Sequence, residues 1–206
     1  MKLIDLTHTF TCDMPVYPGD PPAGLEPIAT IAKDGFNDCC VRGGLHVGTH
    51  MDAPLHMIEG GAPLSDIPLR QFFGRGRLID ARGYKAVTAD LLDGVELAKG
   101  DIVLVMTDWS KHFRLADYYE NFPEIDLAFA ERLVATGISI MGLDTPSPDK
   151  SPYPVHKILL SQNVLIIENL NGLEALADVG SFDVSAAPAK FHGDAAPVRV
   201  VAQVRE

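Results

Sequence analysis

The chain has 206 residues, 47% hydrophobic and 22% charged, which suits one compact core and excludes a disordered or low-complexity chain. Its formal net charge of −11 argues against nonspecific affinity for nucleic acid or anionic membrane, since both would repel it. Cys12, Cys39 and Cys40 are odd in number and lack zinc-knuckle spacing, so they are read as buried free thiols and not as a disulfide framework.

The opening stretch MKLIDLTHTF carries Asp5 and Thr7 where a secretory signal needs an apolar core. No later apolar run approaches membrane-spanning length, and a cytoplasmic protein is expected. Short β-branched segments predict strands over Lys2–Leu6, Asn37–Leu45, Arg77–Asp80, Ile102–Met106, Ile138–Leu143, Val164–Ile167 and Val198–Val204. Several are almost wholly apolar, as strands covered on both faces are. Arg70, Arg75 and Arg77 read as a solvated turn face in preference to a basic binding patch. After the strand at 102–106, Thr107, Asp108 and Trp109 mark a strand end, where Trp109 either lines a pocket or anchors the loop.

From Ile125 to Thr136 the pattern places Leu127, Ala130, Leu133 and Val134 on one side of a helix, with Gly137 as its stop. Asp144, Ser147 and Asp149 follow in a loop, as turn and cap residues or as parts of an active region. A second helix is expected from Pro152 to about Ser161, with Ser151 as N-cap and His156 inside it. Strands and helices mixed without regular alternation imply an α/β sheet layered with additional β structure, in a single domain over residues 1–206. No glycine-rich phosphate fingerprint follows a strand. Gly43-Gly44 and Gly60-Gly61 read as turns or close backbone contacts, and no nucleotide cofactor is expected.

The most informative stretch is LHVGTHMDAPLH, which gathers His46, His50, Asp52 and His56 within eleven positions. Imidazole nitrogen and carboxylate oxygen suit zinc, manganese or iron, whereas calcium and magnesium favour all-oxygen sites. On a helix His46 and His50 would share a face, but Val47, Gly48, Thr49 and Pro54 are poor helix formers. In an irregular extended path the four polar residues, all at even positions, start on one face, and Gly48 and Pro54 bend the segment around an ion. Scattered surface histidines account for this less well, because three of the chain's seven histidines fall in these eleven positions. Glu168 follows an apolar strand and His156 precedes it on a helix. Taken alone they read as a strand-end charge and a helix-face residue, and spacing does not join them to the first cluster.

HVGTHMDAPLH, together with PVYPGD at 15–20, GLDTPSPD at 142–149 and His156 followed by IIENL at 166–170, resembles the metal-dependent cyclase family that includes bacterial kynurenine formamidase. The resemblance implies a swivelling β/β/α fold and assembly as a homodimer or larger homo-oligomer. It implies that His46, His50 and Asp52 hold one metal, that Asp52, His156 and Glu168 hold or bridge a second, and that His56 stays free as general acid/base. Zinc is the expected ion and manganese the alternative, with one or two ions per chain. Metal coordination brings the pKa of a bound water from about 15.7 towards 7, and an imidazole with an ordinary pKa of about 6.5 suits proton transfer to a leaving nitrogen. The expected activity is hydrolysis of a small-molecule aryl formamide such as N-formylkynurenine. Alternatives are isatin-type ring opening of a lactam and a non-catalytic metal-binding protein. Tyr17 stands where kynurenine formamidases resemble one another in having a tryptophan that lines the aryl pocket, and it is the expected substrate-binding residue.

Overall fold

The computed structural model of the chain describes residues 1–205. In chain order its elements are β1 (Lys2–Asp5), β2 (Gly24–Ala29), α1 (Ile31–Asp34), β3 (Asp38–Arg42), β4 (His50–Asp52), β5 (Phe73–Asp80), β6 (Ala86–Val87), β7 (Ile102–Met106), β8 (Glu124–Ile125), α2 (Leu127–Thr136), β9 (Ile140–Leu143), α3 (Pro154–Ser161), β10 (Leu165–Glu168), β11 (Phe182–Ser185), β12 (Ala195–Pro197) and β13 (Val201–Val204), with short 3-10 turns between them. Nine strands form one curled mixed sheet in the order β1-β13-β11-β5-β7-β9-β10-β4-β12. The central β5, β7, β9 and β10 run parallel, and antiparallel strands extend the sheet on both sides. This is the expected mixed α/β architecture.

Strand β7 shows why the sheet lies at the centre. All five residues of IVLVM are buried, and their period of two sends Val103 and Val105 to one face and Ile102, Leu104 and Met106 to the other. On the first face Val103, Val105, Met141 and Ile166 pack against Phe129 and Leu133 of α2 and Val155 and Leu159 of α3. The second face meets Met51, Phe182 and Val184, contributed by the curled sheet itself, and Leu6 just beyond β1. Each fully buried aliphatic side chain of this kind contributes about 1.5–3 kcal/mol.

Helix α2 begins at Leu127, two residues later than expected, because the Asp126 side chain accepts the Phe129 N–H at 2.7 Å and sets the N-cap. Gly137 ends it in the left-handed region, φ 75°. Helix α3 likewise starts later than the sequence suggests. Ser151 is not its cap; Tyr153 holds the N-cap position, Pro154 opens the first turn, and Asp149 Oδ2 accepts the Val155 N–H at 2.6 Å.

Other departures have local causes. The strand expected at 77–80 reaches back to Phe73, and Gly74 and Gly76 within it are places of close approach: a Cβ on Gly76 would lie 2.0 Å from the Phe182 ring. The strand expected at 37–45 is confined to Asp38–Arg42 and pairs with the unforeseen β2. Neither β2, α1 nor β3 contains a buried residue, which corrects the reading of the cysteines as buried. All three are free: Cys39 is exposed and Cys40 half-buried on this solvent-covered hairpin, and Cys12 is exposed in the loop before it. Arg75 and Arg77 are not turn residues. They project from β5 to Asp101, with Arg75 forming two hydrogen bonds of 3.0 and 2.8 Å. No helix among the described residues is long and apolar enough to cross a membrane.

Candidate metal centre

Strand β4 is only three residues long, yet it places two fully buried ionisable groups, His50 and Asp52. Met51 points into the core, and His50 and Asp52, two residues apart, share the opposite face. Antiparallel pairing with β10 sets Glu168 opposite His50 and Ile166 opposite Asp52. On the other flank the small Ala195 and Ala196 of β12 pair with Asp52 and Met51. The expected one-face extended path therefore holds for His50 and Asp52 only.

His46 and His56 return to the same point through turns on either side. Gly48 makes the first turn at φ 68°, and a Cβ there would lie 2.6 Å from Met14 Cε. His56 closes the 3-10 turn Pro54–His56, against which Gly61 packs so closely that a Cβ would lie 2.6 Å from the Pro54 carbonyl carbon. His156 arrives from α3.

Asp52 is the hub. Its Oδ1 lies 3.0 Å from His46 Nδ1 and 3.3 Å from His50 Nε2, and its Oδ2 lies 4.0 Å from His156 Nε2. Glu168 spans the other side, 3.3 Å from both His50 Nε2 and His156 Nε2. Two sets of ligand atoms gather within 4.8 Å: His46, Asp52 and His56, and His50, Asp52 and Glu168. The grouping differs from the one the resemblance implies, in that His56 stands with His46 and Asp52 while His50 stands with Glu168. His156 borders the second set.

The surroundings fix which nitrogen of each ring faces the carboxylates. His50 Nδ1 donates to the Gly48 carbonyl at 2.8 Å, and His156 Nδ1 donates to Asp149 Oδ1 at 2.6 Å. Each ring thereby turns Nε2 toward the centre, the arrangement that second-layer partners impose on metal-binding histidines. His50 Nε2 and both Asp52 oxygens are fully buried and lack a hydrogen-bond partner. Orphaned buried groups of this polarity are costly unless something else satisfies them, and the donor set of imidazole nitrogen and carboxylate oxygen fits a divalent transition metal.

Electrostatics agree. Burial pushes His156 down, but the Asp149 and Glu168 hydrogen bonds outweigh it and raise the ring to about 10. His50 is raised well above its ordinary value, where burial is overcome by Asp52 and Glu168. Burial pushes Asp52 up, but His50 and His46 hold it well below the usual carboxylate range. His56 differs: burial holds it below its ordinary value, with His46 and His156 acting in the same direction.

One group at the centre has no signal in the sequence. Asp194, in the loop before β12, places Oδ2 3.0 Å from His46 Nε2 and 3.4 Å from His56 Nδ1. It sits 138 residues beyond His56, inside the small-residue run HGDAA, so no local spacing links them. Asn169 was also unforeseen: it donates to the Gly48 carbonyl at 3.0 Å and accepts from Tyr118 at 2.7 Å, fastening the His46–His50 loop to β10.

The centre opens onto a cavity of about 390 Å³. His46, His56, His156, Glu168 and Asp194 form its floor, and Tyr17, Tyr119, Tyr153, Met57 and Pro146 line the remainder with Asp20 and Ser147. Tyr17 and Tyr153 bring their hydroxyls to 3.4 Å, and the Tyr119 ring meets Tyr17 edge-on at 5.6 Å. Ser147 thus borders the cavity and Asp149 braces His156. Asp144 instead accepts from the Thr107 N–H and hydroxyl, and burial raises it to about 6. Trp109 anchors its loop by donating to the Tyr118 carbonyl at 2.9 Å and does not line the cavity.

A buried histidine-carboxylate centre at one end of a curled mixed sheet, open to an aromatic cavity, defines a metal-site protein built to receive a small molecule. The Cyclase family model matches residues 4–150. The chain is 34% identical to an uncharacterized protein of Methanocaldococcus jannaschii, over 98% of this chain and 99% of that protein. It is 28% identical to the kynurenine formamidase of Bacillus anthracis, over 97% and 96% of the two chains. Among solved structures, isatin hydrolase A of Labrenzia aggregata bound to benzyl benzoate matches with a TM-score of 0.89 at 27% identity, covering 100% of this chain and 94% of that one. A structure described as a potential metal-dependent hydrolase with cyclase activity matches at 0.83 and 33% identity, covering 100% and 98%. The chain belongs to the cyclase family.

Proposed function

We propose that this metal-dependent hydrolase of the cyclase family cleaves the C–N bond of a small aryl formamide. The observation that carries the reading is the cavity in which the histidine-carboxylate floor faces three tyrosines. His46, His50, Asp52, His156 and Glu168 would hold the metal, zinc or manganese. When bound, the ion supplies a water that gives up its proton near neutral pH and a Lewis acid for the substrate carbonyl.

The chain's own residues supply the rest. Tyr17, Tyr119 and Tyr153 stack on or abut the aryl ring and orient the formyl group toward the floor. His56, at the edge of the centre, receives the proton from the attacking water and delivers it to the departing nitrogen. The elements of water divide across the broken bond, hydroxyl to the formyl carbon and hydrogen to nitrogen, releasing formate and an arylamine. The kynurenine formamidase relative supports this bond class.

Ring opening of a cyclic aryl amide is the second reading, favoured by the likeness to isatin hydrolase A. It uses the same water and the same proton transfer, with the amine kept on the product. Incubating the metal-loaded protein with formanilide, N-formylkynurenine and isatin, and following formate and ring-opened product separately, tests both. Formate release supports the first reading. Isatin opening with no formamide cleavage replaces it with the second.

A further inference from the structure

We propose that Asp194 is a positioning residue that orients His46 and His56 together, so that metal capture and proton transfer depend on one carboxylate. The inference rests on the reading of this centre as a metal site, with His56 as acid/base. One oxygen, Oδ2, faces both rings, at 3.0 Å from His46 Nε2 and 3.4 Å from His56 Nδ1. The ring centroids are 4.2 Å apart and tilted by 39°.

An ionised carboxylate only accepts hydrogen bonds. The nitrogen it faces therefore carries hydrogen, and the lone pair lies on the other nitrogen of the neutral ring. For His46 that nitrogen is Nδ1, which lies 3.0 Å from Asp52 Oδ1 and so points into the ligand cluster. For His56 it is Nε2, the nitrogen turned away from Asp194 and left to exchange a proton with substrate. His50 and His156 have a ring partner each, in the Gly48 carbonyl and Asp149. Asp194 serves two rings at once.

The main chain holds Asp194 in register for this task. Its carbonyl accepts the Ala53 N–H at 2.8 Å, one residue after the ligand Asp52, and the preceding Gly193 carbonyl accepts the Leu64 N–H at 2.9 Å. Gly193 also admits close packing, since a Cβ there would lie 2.9 Å from Leu45 Cδ1. The side chain, 39% exposed, borders the cavity while its backbone is fastened to the strand that carries the ligands.

The test uses Asp194→Asn, which keeps shape and removes charge, with Asp194→Ala beside it. Zinc affinity is measured by competition with a chromogenic chelator, without substrate, and kcat and KM are measured at saturating metal. The expected result for Asp194→Asn is an unchanged melting temperature, zinc affinity lowered by about 10- to 100-fold, and kcat lowered by at least about tenfold with KM nearly unchanged. In a His56→Ala background the same substitution should still weaken zinc binding but cost no further kcat, because residues acting as a unit are not additive. Zinc affinity within about twofold of wild type in both variants would overturn the His46 half of the proposal. An equal loss of kcat with and without His56 would overturn the other half. The chelator competition stands apart from the choice of substrate, so failure to cleave formamides leaves its result intact.

Discussion

Glu168 stands opposite His50 across the antiparallel pairing of β10 with β4, its Oε2 3.3 Å from His50 Nε2. Strand register therefore brings together a carboxylate and a histidine that are far apart in the sequence. Asp52, two residues along the same face, completes a centre whose floor is the sheet and whose walls are turns. Such a site is rigid, because shifting β4 by one residue would turn both ligands into the core.

Asp52 belongs to both ligand sets, so Asp52→Ala should remove most bound metal. Glu168→Ala should lose metal from the His50 side and keep part of the total. Elemental analysis of the folded, purified variants measures this, and wild-type metal content in Asp52→Ala would refute the shared-ligand role.

His56→Ala should retain most of the metal and lose about 10²- to 10⁴-fold in kcat, the usual contribution of a positioned acid/base. A parallel loss of metal would instead make His56 a ligand beside His46 and Asp52, as the distances between their donor atoms permit.

At the cavity mouth Tyr17 is 45% exposed, with its hydroxyl 3.4 Å from that of Tyr153. One aromatic contact is worth about 0.5–1.5 kcal/mol. Tyr17→Ala should therefore raise KM for an aryl formamide by roughly 2- to 10-fold, with kcat and metal content preserved. Steady-state kinetics across a series of aryl and alkyl formamides would show the effect confined to the aryl members.

His8 stacks on Phe113 with ring centroids 3.7 Å apart, and burial, aided by Arg114, lowers its pKa from 6.5 to about 4. The folded state thus binds this proton less readily than the unfolded chain. Its contribution to stability is complete above about pH 6.5 and is lost as pH falls towards 4. The full shift corresponds to at most about 3 kcal/mol, reduced by solvent screening at a partly exposed ring. His8→Phe should flatten the urea-unfolding free energy between pH 6.5 and 4 relative to wild type, and identical pH profiles would exclude the assignment.

Much of the central sheet is legible in the sequence because burial on both faces demands unbroken apolar runs such as Ile102–Met106 and Val164–Ile167. The three-residue strands β4 and β12 and the hairpin strand β2 are not. β4 is held by neighbours on either side and β12 by its pairing with β4 at the sheet edge, neither by any period of its own, and β2 mixes Pro27 and exposed apolar residues in solvent. Within the site, His46, His50, Asp52 and His56 announce themselves by local density. His156 and Glu168 join them only through the α3–β10 connection and the pairing with β4, which no spacing encodes. Asp194 lies beyond even the family's motif blocks, and a lone aspartate among small residues looks like a turn.

Gly76, outside the strand expected at 77–80, serves packing inside β5. Since a Cβ there would meet three atoms of the Phe182 ring within 2.8 Å, Gly76→Ala should destabilise the fold by about 1–3 kcal/mol through overpacking. Chemical denaturation gives the value, and a change near zero would show that the Phe182 ring moves aside freely.

Metal reconstitution tests the central claim most directly. Protein stripped by a chelator and checked for residual metal should show no hydrolysis of formanilide, N-formylkynurenine or isatin. Stepwise addition of zinc or manganese should restore turnover of at least one of them in proportion to metal bound, in wild type but not in Asp52→Ala. Full turnover by the stripped protein would contradict the account.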